Sequence, residues 1–418
     1  MNRADLNFKE EFHIWTLPNG IRCIHRPVAS HVSHIGLFIN AGSRDELPHE
    51  HGMAHFIEHV FFKGTGRRRS FHILSRMDDV GGELNAYTSK EETVVHATFL
   101  NEHYGRALDL VSDIVFNASF PAKELEKEKT VILDEINSYL DSPSDVAFDE
   151  FDALVFSHHP MGRTVLGTPE SLASFGPQGV RSFVDRNYQT DQMVFASVGS
   201  IRIDALKKMV DRHFGQVPAR HRSWKREPIT VGKGLSLTRQ LDISQDHVLL
   251  GGTAYAADHD DRLGLLLLVD LLGGPGMNSR LNLLLRERHG YTYGVDASYA
   301  SFSDCGLYSI YYSSDHRHTE RCLNMVNREL RRVREQRLGI AQLQRAKQQM
   351  LGQIAISQEH NQSQMLGLGR SFLMFDRVQT WDEVMRRIDE LTADELLRIA
   401  NEVFDPTGTD TVILTSKS

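Results

Sequence analysis

The sequence predicts an α+β protein made of two similar halves. Three observations carry this expectation. The 418-residue length suits two or three domains, each large enough for its own core. Strand-like runs and longer helical segments follow one another twice along the chain. A faint repeat relates the halves at a spacing of about 213 residues: the run from His34 to Asp45 (His-Ile-Gly-Leu-Phe-Ile-Asn-Ala-Gly-Ser-Arg-Asp) is echoed from His247 to Asp258 (His-Val-Leu-Leu-Gly-Gly-Thr-Ala-Tyr-Ala-Ala-Asp).

The elements follow in order. Trp15 to Asn40 alternates strand-like runs with turns such as Pro18-Asn-Gly20. The segment around His55 reads as a helix, and Asn85 to Leu100, centred on Thr93-Val-Val-His-Ala-Thr98, as a strand. Glu124 to Leu140 is rich in helix formers, with Pro121 near its start. Gln216 to Lys233 is basic and rich in turn formers. The expected division is therefore 1–216, a linker at 217–233, and 234–418. Leu263 to Leu272 follows the second copy of the repeat, and Thr319 to Phe404 is mostly helical.

His55-Phe-Ile-Glu58-His59 is an H-x-x-E-H pattern. A helix brings residues i and i+4 to one face, so His55 and His59 can direct ring nitrogens at one ion. Glu58 then stands beside that ion without binding it. In a chain with 21 histidines the pattern also suits a polar helix face. His51 and His55 form a second such pair, with His51 read as a surface helix histidine. His158 and His159, before Pro160, read as a loop.

Glu128 and Glu135 are seven apart and share a helix face to within about 20°. Asp134 points away, and Val131 with Ile132 suggest an inward stripe. Carboxylates turned inward need a partner or a metal. Taken alone, this segment also suits a charged surface helix.

In combination these motifs are specific. The chain resembles the pitrilysin or insulinase family of zinc peptidases, in its mitochondrial-processing-peptidase-like branch. The resemblance rests on Gly52-Met-Ala-His-Phe-Ile-Glu-His59, Phe62-Lys-Gly-Thr65 and Gly81-Gly-Glu-Leu-Asn-Ala-Tyr-Thr88, and on a glutamate 76 residues after His59 with another seven before it. It implies zinc held by His55, His59 and Glu135, with Glu58 as general base and Glu128 as an orienting carboxylate. It implies that Asn85, Ala86 and Thr88 belong to an edge strand that pairs with a peptide backbone, and that Arg286 and Tyr293 hold the peptide. Read from the residues alone, Tyr291 and Tyr293 suit a strand face. The glycine-rich run Gly273 to Leu281 lacks the Gly-Lys-Ser/Thr of a phosphate loop, and in the family it lies near the substrate.

The family fold implies that each half is a mostly antiparallel sheet with helices packed on one side, forming half of a clamshell. Adding 213 to positions 55, 58 and 59 gives Leu268, Leu271 and Leu272, so the second half is expected to be a scaffold without metal. Three protein ligands leave a fourth zinc position for water, whose proton Glu58 is placed to take. The expected enzyme is a zinc endopeptidase for short or unfolded peptides. The alternative is a non-catalytic scaffold or partner subunit, though such subunits usually lose the motif residues present here. Because long family members carry four such domains, closing a chamber calls for a second copy. A homodimer is expected, with Arg286 and Tyr293 acting across its interface.

Composition narrows the classes further. The net charge is −8, from 47 basic and 55 acidic residues. Arg67-Arg-Arg69 is too short to suggest nucleic acid and reads as a solvated loop. The three cysteines show no paired framework. No apolar run suits a signal peptide, and Leu263 to Leu272 is too short to span a bilayer. A cytoplasmic protein with reduced thiols is the expectation.

Overall fold

The computed structural model describes residues 12–229, 231 and 234–416. The first half runs β1 (His13–Thr16), β2 (Arg22–Pro27), β3 (Val32–Ile39), α1 (Met53–Phe61), α2 (Ser70–Asp78), β4 (Glu83–Thr88), β5 (Thr93–Leu100), α3 (Tyr104–Phe116), α4 (Ala122–Leu140), α5 (Pro143–Val155), α6 (Pro169–Ala173), α7 (Pro177–Asn187), β6 (Met193–Gly199) and α8 (Ile203–Phe214). The second runs β7 (Ser236–Leu241), β8 (Asp246–Ala254), α9 (Arg262–Gly273), β9 (Thr292–Ser301), β10 (Gly306–Ser314), α10 (His316–Glu335), α11 (Ile340–Gln358), α12 (Asn361–Phe375), α13 (Trp381–Glu390), α14 (Ala393–Val403) and β11 (Asp410–Ser416).

Each half forms one sheet. The first has the order β1-β2-β6-β3-β5-β4 and the second β7-β11-β8-β10-β9. Only β2–β6 and β7–β11 are parallel among these pairings; the rest are antiparallel. Local chemistry sets the turns. At Pro18-Asn-Gly20, Gly20 takes a left-handed φ of 96° and the Asn19 amide donates to the carbonyls of Phe214 and Val217 at 2.8 and 2.9 Å. The single strand expected from Asn85 to Leu100 is instead two, β4 and β5. Ser89-Lys-Glu-Glu92 turns between them, where the Ser89 hydroxyl accepts from the Glu92 amide at 3.1 Å.

Both faces of each sheet are covered, in a reciprocal way. In the first half, α3 packs on one face through β3 and β5, where Phe99 meets Tyr104 edge to face. The other face is covered by α12, from late in the sequence. There Met365, Phe372 and Leu373 bury against Ile24, Phe38, Val194, Ala196 and Val198. Approach is close enough that a Cβ on Gly369 would overlap the Phe38 ring. In the second half, Val248 and Leu250 face the leucines of α9, with Val326 of α10 and Ile399 of α14. The opposite face, with Leu249, Val412 and Leu414, is covered by Val146, Ala147 and Phe151 of α5, from the first half. Burying a side chain of this size contributes roughly 1.5–3 kcal/mol.

A linear division at 217–233 therefore separates the two sheets but not two compact units. One unit comprises residues up to Asp134, Val165–Arg226 and Ile356–Trp381. The other comprises Glu135–Thr164, Glu227–Ala355 and the residues from Asp382 onward. The boundary falls inside the continuous helix α4. Positions 230, 232 and 233 of the expected linker lie outside the described residues. Its earlier part is no free tether: the Arg226 guanidinium donates two 2.8 Å bonds to the Asp45 carboxylate and one of 2.8 Å to the Glu91 carbonyl. Asp45 is buried, and a buried carboxylate requires such a partner. Nor is Arg67-Arg-Arg69 merely solvated, since Arg67 and Arg68 pair with Asp109 and the buried Asp113. No described helix is long and apolar enough to cross a membrane.

Candidate metal centre and catalytic cleft

Helix α1 begins without a side-chain cap of the usual kind. Gly52 precedes it with φ 90°, and a Cβ there would meet the Gly167 Cα at 2.7 Å. Glu46, 3% exposed, supplies the missing acceptors. Its carboxylate oxygens take the amide protons of Gly52 and Ala54, each at 2.9 Å. His51 thus lies in the turn before the helix and is half-buried, not on a helix surface as expected. His158 and His159 are in a loop, where the His159 ring accepts from the Met161 amide at 3.2 Å.

One turn of α1 brings the His55 and His59 rings to a centroid separation of 4.7 Å, inclined at 69°. His55 is buried, and its pKa is lowered to about 4, first by burial and then by the charge on His59. It is neutral at pH 7, as a metal ligand must be. Glu135 of α4 completes the set: one ligand atom from each of His55, His59 and Glu135 lies within 4.8 Å of the others. Tetrahedral zinc places its ligand atoms roughly 3.4 Å apart, so small side-chain adjustments suffice. This is the only such group of three among the described residues. Two imidazoles and a carboxylate fit zinc by donor chemistry as well as by spacing.

Glu128 sits two turns earlier on α4 and is buried, with Oε1 3.6 Å from His59 Nδ1 and Oε2 2.5 Å from Lys63 Nζ. The first distance is beyond a hydrogen bond but fixes which ring nitrogen faces the carboxylate, leaving Nε2 for an ion. On α4 the buried residues are Leu125, Glu128, Ile132 and Ile136, whereas Val131 is half exposed. The expected inward stripe is therefore right for Ile132 and wrong for Val131, because 131 sits more than a quarter turn off that face.

A cleft of about 410 Å³ opens beside His59 and Glu128, lined also by Glu58, Lys63, Leu84, Asn85 and Ala86. Asn85 and Ala86 belong to β4, the outer strand of its sheet, which pairs only with β5 among the described strands. Thr88, on the same strand, does not line the cleft. Its hydroxyl turns to the Ala54 carbonyl at 3.5 Å, a long contact between β4 and α1. Arg286 and Tyr293 lie in the second unit, outside the His55–His59–Glu135 group. Arg286 is in a π-helical turn, Asn282–Arg288, with Nε 3.6 Å from Glu287; Tyr293, at the start of β9, is 91% exposed. Sequence reasoning singled out neither Glu46 nor Lys63. Lys63 had a signal, since it stands four residues after His59 on the same side of the helix end; Glu46 had none.

Such a donor set, beside a carboxylate and an open cleft, is the kind that metal-dependent hydrolases use. The chain belongs to the insulinase family, peptidase family M16. Residues 24–169 match the family model described as insulinase (peptidase family M16), and 174–350 the one described as peptidase M16 inactive domain. It is 32% identical over 392 residues to the uncharacterized zinc protease YmxG of Bacillus subtilis, spanning 93% of this chain and 95% of that one. It is 34% identical over 405 residues to an uncharacterized zinc protease of Mycobacterium tuberculosis strain H37Rv, spanning 93% and 90%. Among solved structures, a protease from Helicobacter pylori has the same fold, with TM-score 0.91 at 20% identity over 97% of this chain and all of that one.

Proposed function

We propose that the protein is a zinc-dependent endopeptidase acting on short or unfolded peptides in a closed chamber. The observation that carries this reading is the convergence of His55, His59 and Glu135 beside the cleft that Glu58 lines. Bound at those three residues, zinc supplies Lewis acidity that polarises a carbonyl and acidifies water. Glu58 takes the proton from the attacking water and delivers it to the leaving amine. Glu128, held by Lys63, orients His59. The free edge of β4 at Asn85 and Ala86 pairs with an extended peptide backbone, which gives affinity with little side-chain preference. Thr88 steadies that strand against α1.

In this reading the working form is a homodimer in the cytoplasm. Arg286 and Tyr293 hold the peptide at the zinc site of the other copy. A tyrosine exposed at 91% supports a role in contact with another molecule. Sedimentation at working concentration tests this, and a monomer would contradict it.

The test of the activity is a mixed-length peptide library incubated with the zinc-loaded protein and with Glu58→Gln, read by mass spectrometry. Cuts made by the wild type alone, and abolished by chelator, are expected. No cuts by either protein, with zinc confirmed bound, would overturn the reading in favour of a non-catalytic scaffold or a subunit that needs a different partner.

A further inference from the structure

A second pocket, of about 450 Å³, opens in the first unit between α3, α7 and α8, apart from the cleft. This volume is in the range of small-molecule sites. Val115, Phe116, Val184 and Val217 make an apolar interior. Phe120, also in the wall, is 5% exposed and holds a left-handed φ of 49°, a costly conformation for a bulky residue.

The charged part of the lining has a net positive balance, two arginines against one aspartate. Arg181 and Arg220 face a single carboxylate, Asp185, which pairs with Arg220 at 3.2 Å. Arg181 reaches only the Ser119 carbonyl, at 3.4 Å, and meets no carboxylate among the described residues. A planar guanidinium so placed is suited to a carboxylate, sulfonate or phosphate. His213 adds a hydrogen-bonding edge, and burial lowers its pKa.

We propose that this pocket binds a small amphipathic anion, an apolar or aromatic body carrying one acidic group that meets Arg181. One residue links the site to helix α1. Tyr188, 4% exposed, forms part of the pocket wall, and its ring lies 6.0 Å from Phe61 on α1. Burial, with a smaller contribution from the charge of Glu58, raises the pKa of its hydroxyl. The ligand and the helix that carries His55 and His59 therefore share a wall.

The experiment is a fluorescence titration of the zinc-loaded protein with 8-anilino-1-naphthalenesulfonate. Saturable binding is expected, weakened at least tenfold in Arg181→Gln and lost in Val184→Trp, whose indole fills the pocket. Arg328→Gln, on the exposed side of α10, is expected to titrate like the wild type. The neutral analogue N-phenyl-1-naphthylamine is expected to bind at least tenfold more weakly. Identical curves for wild type, Arg181→Gln and Val184→Trp would overturn the site. Equal affinity for the neutral analogue would overturn the anionic class. Arg181 is exposed, so its variant is expected to fold even if the tryptophan is not tolerated.

Discussion

The two halves share one plan and differ in what they bury. Strands β2-β6-β3-β5-β4 correspond to β7-β11-β8-β10-β9, with the one parallel pair at the same place in each. β5 begins at Thr93 and β10 at Gly306, 213 residues apart. The break between α4 and α5, from Leu140 to Pro143, recurs between α11 and α12, from Gln358 to Asn361, at a spacing of 218. At these spacings His55, Glu58 and His59 correspond to Leu268, Leu271 and Leu272, and Glu128 and Glu135 to Ala346 and Gln353. Leu268 and Leu272 are 1% exposed and join the core of their sheet. The duplicated fold thus needs only an apolar helix at this position. A helix bearing imidazoles there needs further support, and the first half supplies it with the Glu46 cap, the Lys63–Glu128 pair and the arginine partners of the loop before α1.

Converting first-half residues toward their second-half counterparts tests this contrast. The largest effect is expected for Glu58→Gln, which should lower kcat for peptide hydrolysis by about 10³-fold or more while keeping zinc bound. Full activity in that variant would remove Glu58 from the proposed role. Glu135→Gln copies Gln353 and deletes a ligand. Zinc affinity, by chelator competition, should fall by more than about a hundredfold, since loss of a mere supporting partner typically costs 10–100-fold.

The third effect separates the halves by pH. His25 is fully buried in β2, and its pKa is lowered to about 4 by burial and, less, by the charge of His13. With the starts of β2 and β7 aligned, Arg22 on Ser236, its counterpart is the exposed Arg239, so β7 has no equivalent. Because the folded pKa lies below the unfolded one, near 6.5, the unfolded chain binds a proton that the folded chain refuses. The contribution is fully present above about pH 6.5 and is lost as pH falls toward 4, by at most about 3 kcal/mol. Urea melts from pH 7 to 4.5 should show a steeper loss for wild type than for His25→Gln. The smallest effect is expected for Glu46→Ala, which leaves two amides of α1 without their acceptor and should cost about 2 kcal/mol of stability. A melt unchanged from wild type would show that α1 starts equally well without its cap.

Much of the site was legible because it is local. The i, i+4 spacing of His55 and His59 and the seven-residue spacing of Glu128 and Glu135 are properties of single helices, and α4 runs from Ala122 to Leu140, close to the expected Glu124 to Leu140. The strand from Asn85 to Leu100 was misread because both arms of the hairpin share one β-rich composition and only a short polar run marks the turn. Thr88 lies in the expected edge strand, now β4, but that its hydroxyl turns to the Ala54 carbonyl of α1 is a tertiary contact that strand periodicity does not state.

By itself, then, the sequence determined the duplicated α+β plan and singled out the three residues that converge as a candidate metal site, since these follow from periodicity, spacing and family resemblance. Only the tertiary structure decided that α5 and α12 cover each other's sheets, that Glu46 caps α1, that Lys63 engages Glu128 and that Arg226 of the 217–233 stretch neutralises Asp45. The reason is physical: an amphipathic helix declares that it has an apolar face, and a charged side chain that it needs a partner, but neither states which distant surface will provide it.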